Sequence, residues 1–493
     1  MAAVLARLGA EARREPLLYA LIAATLAGVL GAAALTSPFP LALPIGALGV
    51  LAFVRNLRFG LFAALALTCV SKEVELGPLG LDFPGEPVAV LLLALGGVVL
   101  LARGRRIEGA LVRHPVTLLL VAHVAWIALA ALTSAHPLTS WKFLAAKLWY
   151  VVPFYGLATL LVRRRRHLRT LLKVLAVPLT AALAICLVRH AGYGFSFEDV
   201  NPAVFILFRN HVAYAALASI LLPLMLLGAW EFRGGSGWRW GLLLAAAVAL
   251  VAVQTSYTRA AYVGLLGAAA FVGVIHLRLV RPVLIAGLAV LVLGVSFVLS
   301  DNRFFRFAPN YEKTISQESF GDLVEATYKL EDISTMERVY RWVAGGYMVG
   351  ERPWLGWGPG NFPRFYRGYA LETFRTYVSD NEEGSGVHNY LLMVLVEQGW
   401  IGLAIFVALC AAGLVTAERA YHRARSPAER RAVAMLAASL AVNLSFQLIN
   451  DMLESDKSGP WFLFALAGLV VLDLNGRLRG GRWDSPLRVV GEG

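Results

Sequence analysis

Three groups of polar residues in this chain are of the types that handle phosphate and protons, and each stands at the edge of a long apolar run. Arg209, Asn210 and His211 open one run, Thr255, Ser256, Thr258 and Arg259 bridge two others, and His388 and Asn389 begin the run after a long hydrophilic stretch. Just before the last group, Arg338 and Arg341 lie in residues 335–349, whose periodicity predicts a helix with Met336, Tyr340, Val343 and Tyr347 along one side. A guanidinium suits phosphate because its planar fork donates two parallel hydrogen bonds and stays charged at any relevant pH. An imidazole accepts a proton near neutral pH, which makes His388 the candidate base. Taken singly, Arg209, His211 and Arg259 read as interfacial anchors, Arg338 and Arg341 as a solvated helix face, and His388 as a structural histidine. Together, on one face of a membrane, they favour an anionic headgroup site, because ionisable side chains there need water, partners or a charged ligand.

The composition demands that membrane. Of 493 residues, 58% are hydrophobic and only 16% charged, and the mean hydropathy is +0.65, whereas a soluble domain of this length needs far more charged surface. The formal net charge of +13 resides mostly in short arginine clusters between apolar stretches. That pattern retains loops in the cytoplasm and does not point to nucleic acid. Cys69, Cys186 and Cys410 each fall within an apolar run and read as small core- or lipid-facing residues.

Apolar segments at 17–35, 40–54, 58–71, 86–103, 115–132, 145–162, 168–188, 208–229, 239–255, 260–277, 281–299, 387–416, 429–450 and 459–474 make about fourteen candidate spans, the second and third short enough for a re-entrant pair. The first resembles a secretory signal but has nearly the roughly 20 residues a span needs, so it reads as a retained helix. With both termini in the cytoplasm, the arginines at 55 and 58, 103–106, 163–166, 233 and 239, 278 and 281, 419–431 and 477–482 all fall inside. The opposite loops carry Glu73, Glu75, Asp82, Glu198, Asp199, Asp451, Glu454 and Asp456.

Residues 1–299 and 387–474 are therefore expected to be membrane helices, 475–493 a cytoplasmic tail, and 300–386 a mainly helical domain on the outer, periplasmic side of a bacterial inner membrane. Its stretch at 353–362, with Gly356, Gly358 and Gly360, reads as a structural turn, although such glycines also let backbone amides approach an anion. Glu397 lies nine residues beyond His388, ~13 Å deeper at ~1.5 Å per residue. An isolated carboxylate there would cost roughly 2.5–3.5 kcal/mol, so it should be paired, protonated or beside water, and more an organiser of helices than a reactant. Asn443, Gln447, Asn450 and Asp451 recur at helical spacing as plausible partners.

The order of these pieces resembles the O-antigen ligase and polymerase superfamily. Four patterns carry the resemblance: Asn210 and His211 with Ala213, Ala215 and Ala216; Ser256 to Arg259 before Ala260, Ala261 and Gly264; Arg338 to Trp342 followed by Pro353 and the glycine-rich stretch; and His388 and Asn389 with Leu391, Glu397, Gln398, Gly399, Gly402 and Leu403. The match covers roughly residues 205–410 and departs in Thr258, where the family commonly has Ser before the arginine, and in the span count, which is usually about twelve.

The resemblance implies an all-α polytopic membrane protein of about 12–14 transmembrane helices, with the periplasmic domain inserted before the His388 helix. It further implies transfer of a glycan from an undecaprenyl pyrophosphate-linked donor to a lipid A-core acceptor, with membrane lipid as the surrounding partner. Arg259 and Arg338, with Arg341 as competitor, would contact pyrophosphate, and His388 would assist the acceptor hydroxyl. Arg209, Asn210, His211, Ser256 and Asn389 would complete substrate binding, with no cofactor and no metal expected. The chemistry fits the inventory: pyrophosphate leaves as a stable anion, so transfer needs fixed positive charge and a base. A polymerase, whose acceptor is a second lipid-linked repeat, is the close alternative. A polysaccharide or lipid transporter is the reading from another class, but transporters place substrate near the midplane between repeated halves, and no repeat is evident here.

Overall fold

A computed structural model describes residues 50, 53–76, 79–103, 107–300, 333–371 and 386–477. The span expected at 17–35, most of that at 40–54 and the tail after 477 lie outside them, as do 301–332 and 372–385 of the expected periplasmic domain. Helix α1 (Leu57–Leu67) is followed by an antiparallel hairpin, β1 (Lys72–Leu76) and β2 (Leu79–Phe83), and by α2 (Gly85–Arg103). Then come α3 (Pro115–Leu132), α4 (Pro137–Leu161), α5 (Arg165–Gly192), α6 (His211–Gly228), α7 (Gly237–Thr255), α8 (Arg259–His276) and α9 (Val280–Leu299). After α10 (Ile333–Glu351), the chain returns through α11 (Tyr390–Arg423), α12 (Pro427–Gln447) and α13 (Gly459–Arg477).

Nine of these helices are long and apolar enough to cross a membrane among the described residues. Two shorter apolar helices, α1 at Leu57–Leu67 and the Gly85–Val99 part of α2, also lie among the described residues. Among the described residues, nine long apolar helices and almost no sheet are consistent with the expected all-α polytopic membrane protein. The span expected at 145–162 instead begins at Pro137, as part of α4. Lys142 and Lys147 interrupt the apolar run in sequence, but Lys147 is buried and paired with Glu454 at 2.6 Å. Within α4, Pro153 has no amide to donate, and Val152–Leu157 widens into a π-turn around it.

The two ends of the bundle gather different residues. One end holds the arginine-rich loops: Arg165 and Arg431 both meet buried Glu231, at 2.5 and 3.3 Å, and Arg419 and Arg423 meet buried Asp473, at 2.9 and 2.5 Å. Arg163, expected to be purely topological, also pairs with Glu108 there. The other end joins the hairpin, the 193–210 and 256–258 turns and the 448–458 segment. Lys457 donates to the carbonyls of Thr68 and Ser71, and Tyr257 to that of Phe195. The alternation of basic and acidic loops read from sequence is thus reproduced by contacts among the described residues.

The core lies around α6, α12 and α13, where small residues let backbones approach. A Cβ on Gly264 of α8 would rest 3.5 Å from Val442 and 3.6 Å from Ser445 of α12. In α10 the expected helix forms, but its buried face is turned. Glu337, Tyr340, Arg341, Ala344 and Met348 face inward, while Tyr347 is exposed and Val343 only half-buried. Hydrophobic periodicity could not select this face because it buries an ion pair, Arg341 to Glu337 at 3.5 Å.

Candidate functional site

Residues 386–388 run just ahead of α11 and are held from both sides by side chains. On one side, α10 supplies Arg341, whose Nη1 donates to the Gly386 carbonyl at 2.9 Å and lies 3.0 Å from His388 Nε2, and Trp342, whose indole donates to the Val387 carbonyl at 3.0 Å. On the other, Asp451 Oδ2 accepts the His388 amide at 3.3 Å. This clamp fixes His388 in the left-handed region, φ +55°, which histidine enters more readily than most side chains but rarely without support. Arginine can only donate, so Nε2 is the accepting nitrogen and the ring proton belongs on Nδ1. Burial pushes the His388 imidazolium down to about 4; Asp451 opposes the shift, and Arg341 and Arg338 add to it.

The turn after α12 is the platform. Its carbonyls accept in register: Leu448 from Asn389 Nδ2 at 3.0 Å, Ile449 from Arg338 Nε at 3.3 Å and Asn450 from the Tyr390 amide at 3.2 Å. Arg259 is the first residue of α8, which packs antiparallel on α12. Gly264 lies opposite Val442 and Ser445, so at ~1.5 Å per residue Arg259 stands level with this same turn. Arg259, Arg338, Arg341 and His388 therefore belong to one end of the bundle, the end away from the arginine-rich loops.

The other candidates hold local structure. Asn389 caps α11 by accepting the Leu392 amide at 2.9 Å, and Asn210 caps α6 by accepting that of Ala213 at 2.9 Å. His211 shares the Asn201 side-chain oxygen through its amide and Nδ1, both at 2.9 Å. Buried Ser256 donates to the Val253 carbonyl at 2.7 Å and accepts the Thr258 amide at 3.3 Å. Thr258 in turn donates to the Ser256 carbonyl, so the hydroxyl that Thr258 keeps is used within the turn. Arg209 approaches Glu73 of the hairpin at 3.9 Å.

Glu397 organises the external segment. Its Oε2 accepts the Gly360 amide at 2.8 Å and its Oε1 the Phe362 amide at 3.0 Å, so the glycine-rich turn does bind an anion, namely this carboxylate. The same turn donates its Trp357 and Gly358 amides to the carbonyls of Val396 and Glu397. Asn361 ties it to Ser134 at 2.7 Å, in the connection from α3 to α4, and to Ser140 at 3.2 Å in the first turn of α4. Sequence reading gave no role to Trp342, named only within the Arg338 to Trp342 pattern, or to Ser134, Ser140 and the Lys147–Glu454 pair. The signal available for the pair was Lys142 and Lys147 interrupting an otherwise apolar run.

Beside the clamp is a cavity of about 190 Å³, lined among the described residues by Phe143, Gly360, Phe362, Pro363, Gly386, Met393, Glu397, Asp451 and Glu454. Cationic side chains thus flank one side of residues 386–388, and carboxylates and apolar rings flank the other.

Fold and site together define a multi-pass, all-α membrane protein with a cationic, histidine-bearing centre at one end of its bundle. Residues 242–407, a third of the chain, match the family model described as O-antigen ligase, so this part of the chain is similar to that family. The matched region contains Ser256, Arg259, Arg338, Arg341, His388, Asn389 and Glu397, and Arg209, Asn210 and His211 precede it. Comparison with curated proteins yields no match.

Proposed function

We propose that the chain is an O-antigen ligase that moves a glycan from undecaprenyl pyrophosphate to a sugar hydroxyl of the lipid A-core, at the periplasmic face of the inner membrane. The observation that carries this reading is the 3.0 Å contact between Arg341 and His388 Nε2 within the arginine cluster. A diphosphate is a far better acceptor for a guanidinium than a neutral imidazole is. Donor binding draws Arg341 onto phosphate oxygen, frees Nε2 and, by adding negative charge nearby, raises the affinity of the ring for a proton. The acceptor oxygen then attacks the anomeric carbon with inversion, its proton passes to Nε2, and the sugar–phosphate bond breaks with its electron pair on the departing pyrophosphate. Arg259, Arg338 and Arg341 offset that charge, so the transfer needs no metal. The positive-inside alternation supports the periplasmic assignment.

Arg341→Ala is expected to lower transfer by ~10²–10³-fold, the usual effect of removing one charge-stabilising donor, and Arg341→Lys to recover only part of it because lysine lacks the fork. The assay uses purified protein with lipid-linked donor and lipid A-core, and added EDTA should leave the rate unchanged. A folded Arg341→Ala protein with full activity would refute the role of Arg341. Replacing lipid A-core by a second lipid-linked repeat distinguishes ligase from polymerase by which product forms.

A further inference from the structure

Resting on the transfer reading above, we propose that the cavity beside residues 386–388 is the subsite for the terminal sugar ring of the acceptor. The separation of charge assigns the two sides. Arg341 approaches the 386–388 segment from α10 and Arg338 reaches the adjoining Ile449 carbonyl, whereas the cavity presents Glu397, Asp451 and Glu454, which repel a diphosphate. A neutral polyhydroxylated ring is the ligand class such a lining suits, because every sugar hydroxyl can donate to a carboxylate while the C–H faces of the ring lie against Phe143, Phe362 and Met393. The carboxylates are held for that task. Glu397 is fixed by the Gly360 and Phe362 amides, and Glu454 by Lys147 at 2.6 Å and by the Tyr390 hydroxyl. Asp451 uses Oδ2 for the His388 amide, which leaves Oδ1 able to accept from a hydroxyl among the described residues.

The position is right for the reaction as well. Gly386 and Asp451 both line the cavity and both contact the clamp around His388, so a ring seated there adjoins the segment that carries the imidazole. Asp451 packs directly on Gly386, where an added Cβ would come within 1.9 Å of Asp451 Oδ2.

The test uses half-buried Phe143, which lies on the long helix α4 and can change without disturbing the clamp. Phe143→Trp should fill the cavity and raise the acceptor KM by ~10-fold or more, the scale of a steric mismatch in a pocket, with the donor KM unchanged. Phe143→Leu, which keeps the fold but loses the ring face, should raise the acceptor KM by a smaller factor. Lipid A-core and a second lipid-linked repeat are assayed as separate acceptors, and the variants should affect whichever one the wild-type protein uses. Independently of turnover, a deacylated core oligosaccharide, and in a second arm a delipidated repeat unit, titrated into the full chain in detergent, should bind wild type and not Phe143→Trp. An unchanged acceptor KM in both variants, a raised donor KM instead, or equal oligosaccharide binding would overturn the subsite. A wild-type protein that binds saccharide but forms no glycosidic product would retain the subsite and overturn the transfer reading.

Discussion

His388→Ala is expected to reduce glycan transfer by ~10²–10⁴-fold, the range lost when a positioned general base is removed, with the protein still folding and still binding donor. The pH dependence separates a base from a mere spacer. In the free protein the His388 imidazolium titrates at about 4, so the base is deprotonated above that pH, and kcat/KM should show an acid limb there and stay flat toward neutrality. Once the anionic donor is bound, the same group holds its proton more strongly, and the acid limb of kcat should move to higher pH. Arg341→Ala, which removes one of the charges lowering His388, should raise the limb of kcat/KM. An alanine variant with the pH profile and rate of the wild type would eliminate His388 as the base.

Gly399→Ala should have one of the largest structural effects of any methyl group added at a described glycine. Gly399 interrupts α11 at φ +69° and ψ −176°, a conformation essentially confined to glycine, and its Cβ would meet the Trp354 carbonyl oxygen at 2.1 Å. The carbonyl belongs to backbone already fixed by the Trp400 amide donating to Pro353 at 2.8 Å, so it cannot withdraw. A loss of more than ~4 kcal/mol, or failure to fold, is the expectation, read as loss of a monodisperse peak and a melting transition in detergent. Gly346→Ala, exposed on α10 with nothing within 4 Å of its added Cβ, is the matched control and should melt like wild type. Equal melting of the two variants would refute the assignment of Gly399 as the fixed joint between α11 and the external turn.

Much of this architecture is legible in the sequence because two physical signals are strong: apolar length and the sidedness of arginine. They give the helices and their alternation, and they bring Arg259, Arg338, Arg341, His388 and Asp451 to one end without any knowledge of contacts. What they do not give is which arginine of α10 faces inward. Arg338 and Arg341 are three residues apart on a helix whose apolar residues suggest a stripe through Tyr347, and the buried Glu337–Arg341 pair turns the helix away from it. The start of α4 was hidden for the same reason, since Lys147 reads as a break in hydropathy until Glu454, three hundred residues later, is placed beside it. Glu397 was legible as an organiser by its cost in the membrane, but its partners are backbone amides, which no side-chain pattern can announce.

The glycine-rich turn aims backbone amides at an anion, as such turns can. Here its seat is taken by a resident carboxylate from the neighbouring helix, so the loop is a latch rather than a fuel port. In the proposed transfer, the energy for bond formation is carried by the pyrophosphate linkage of the donor lipid.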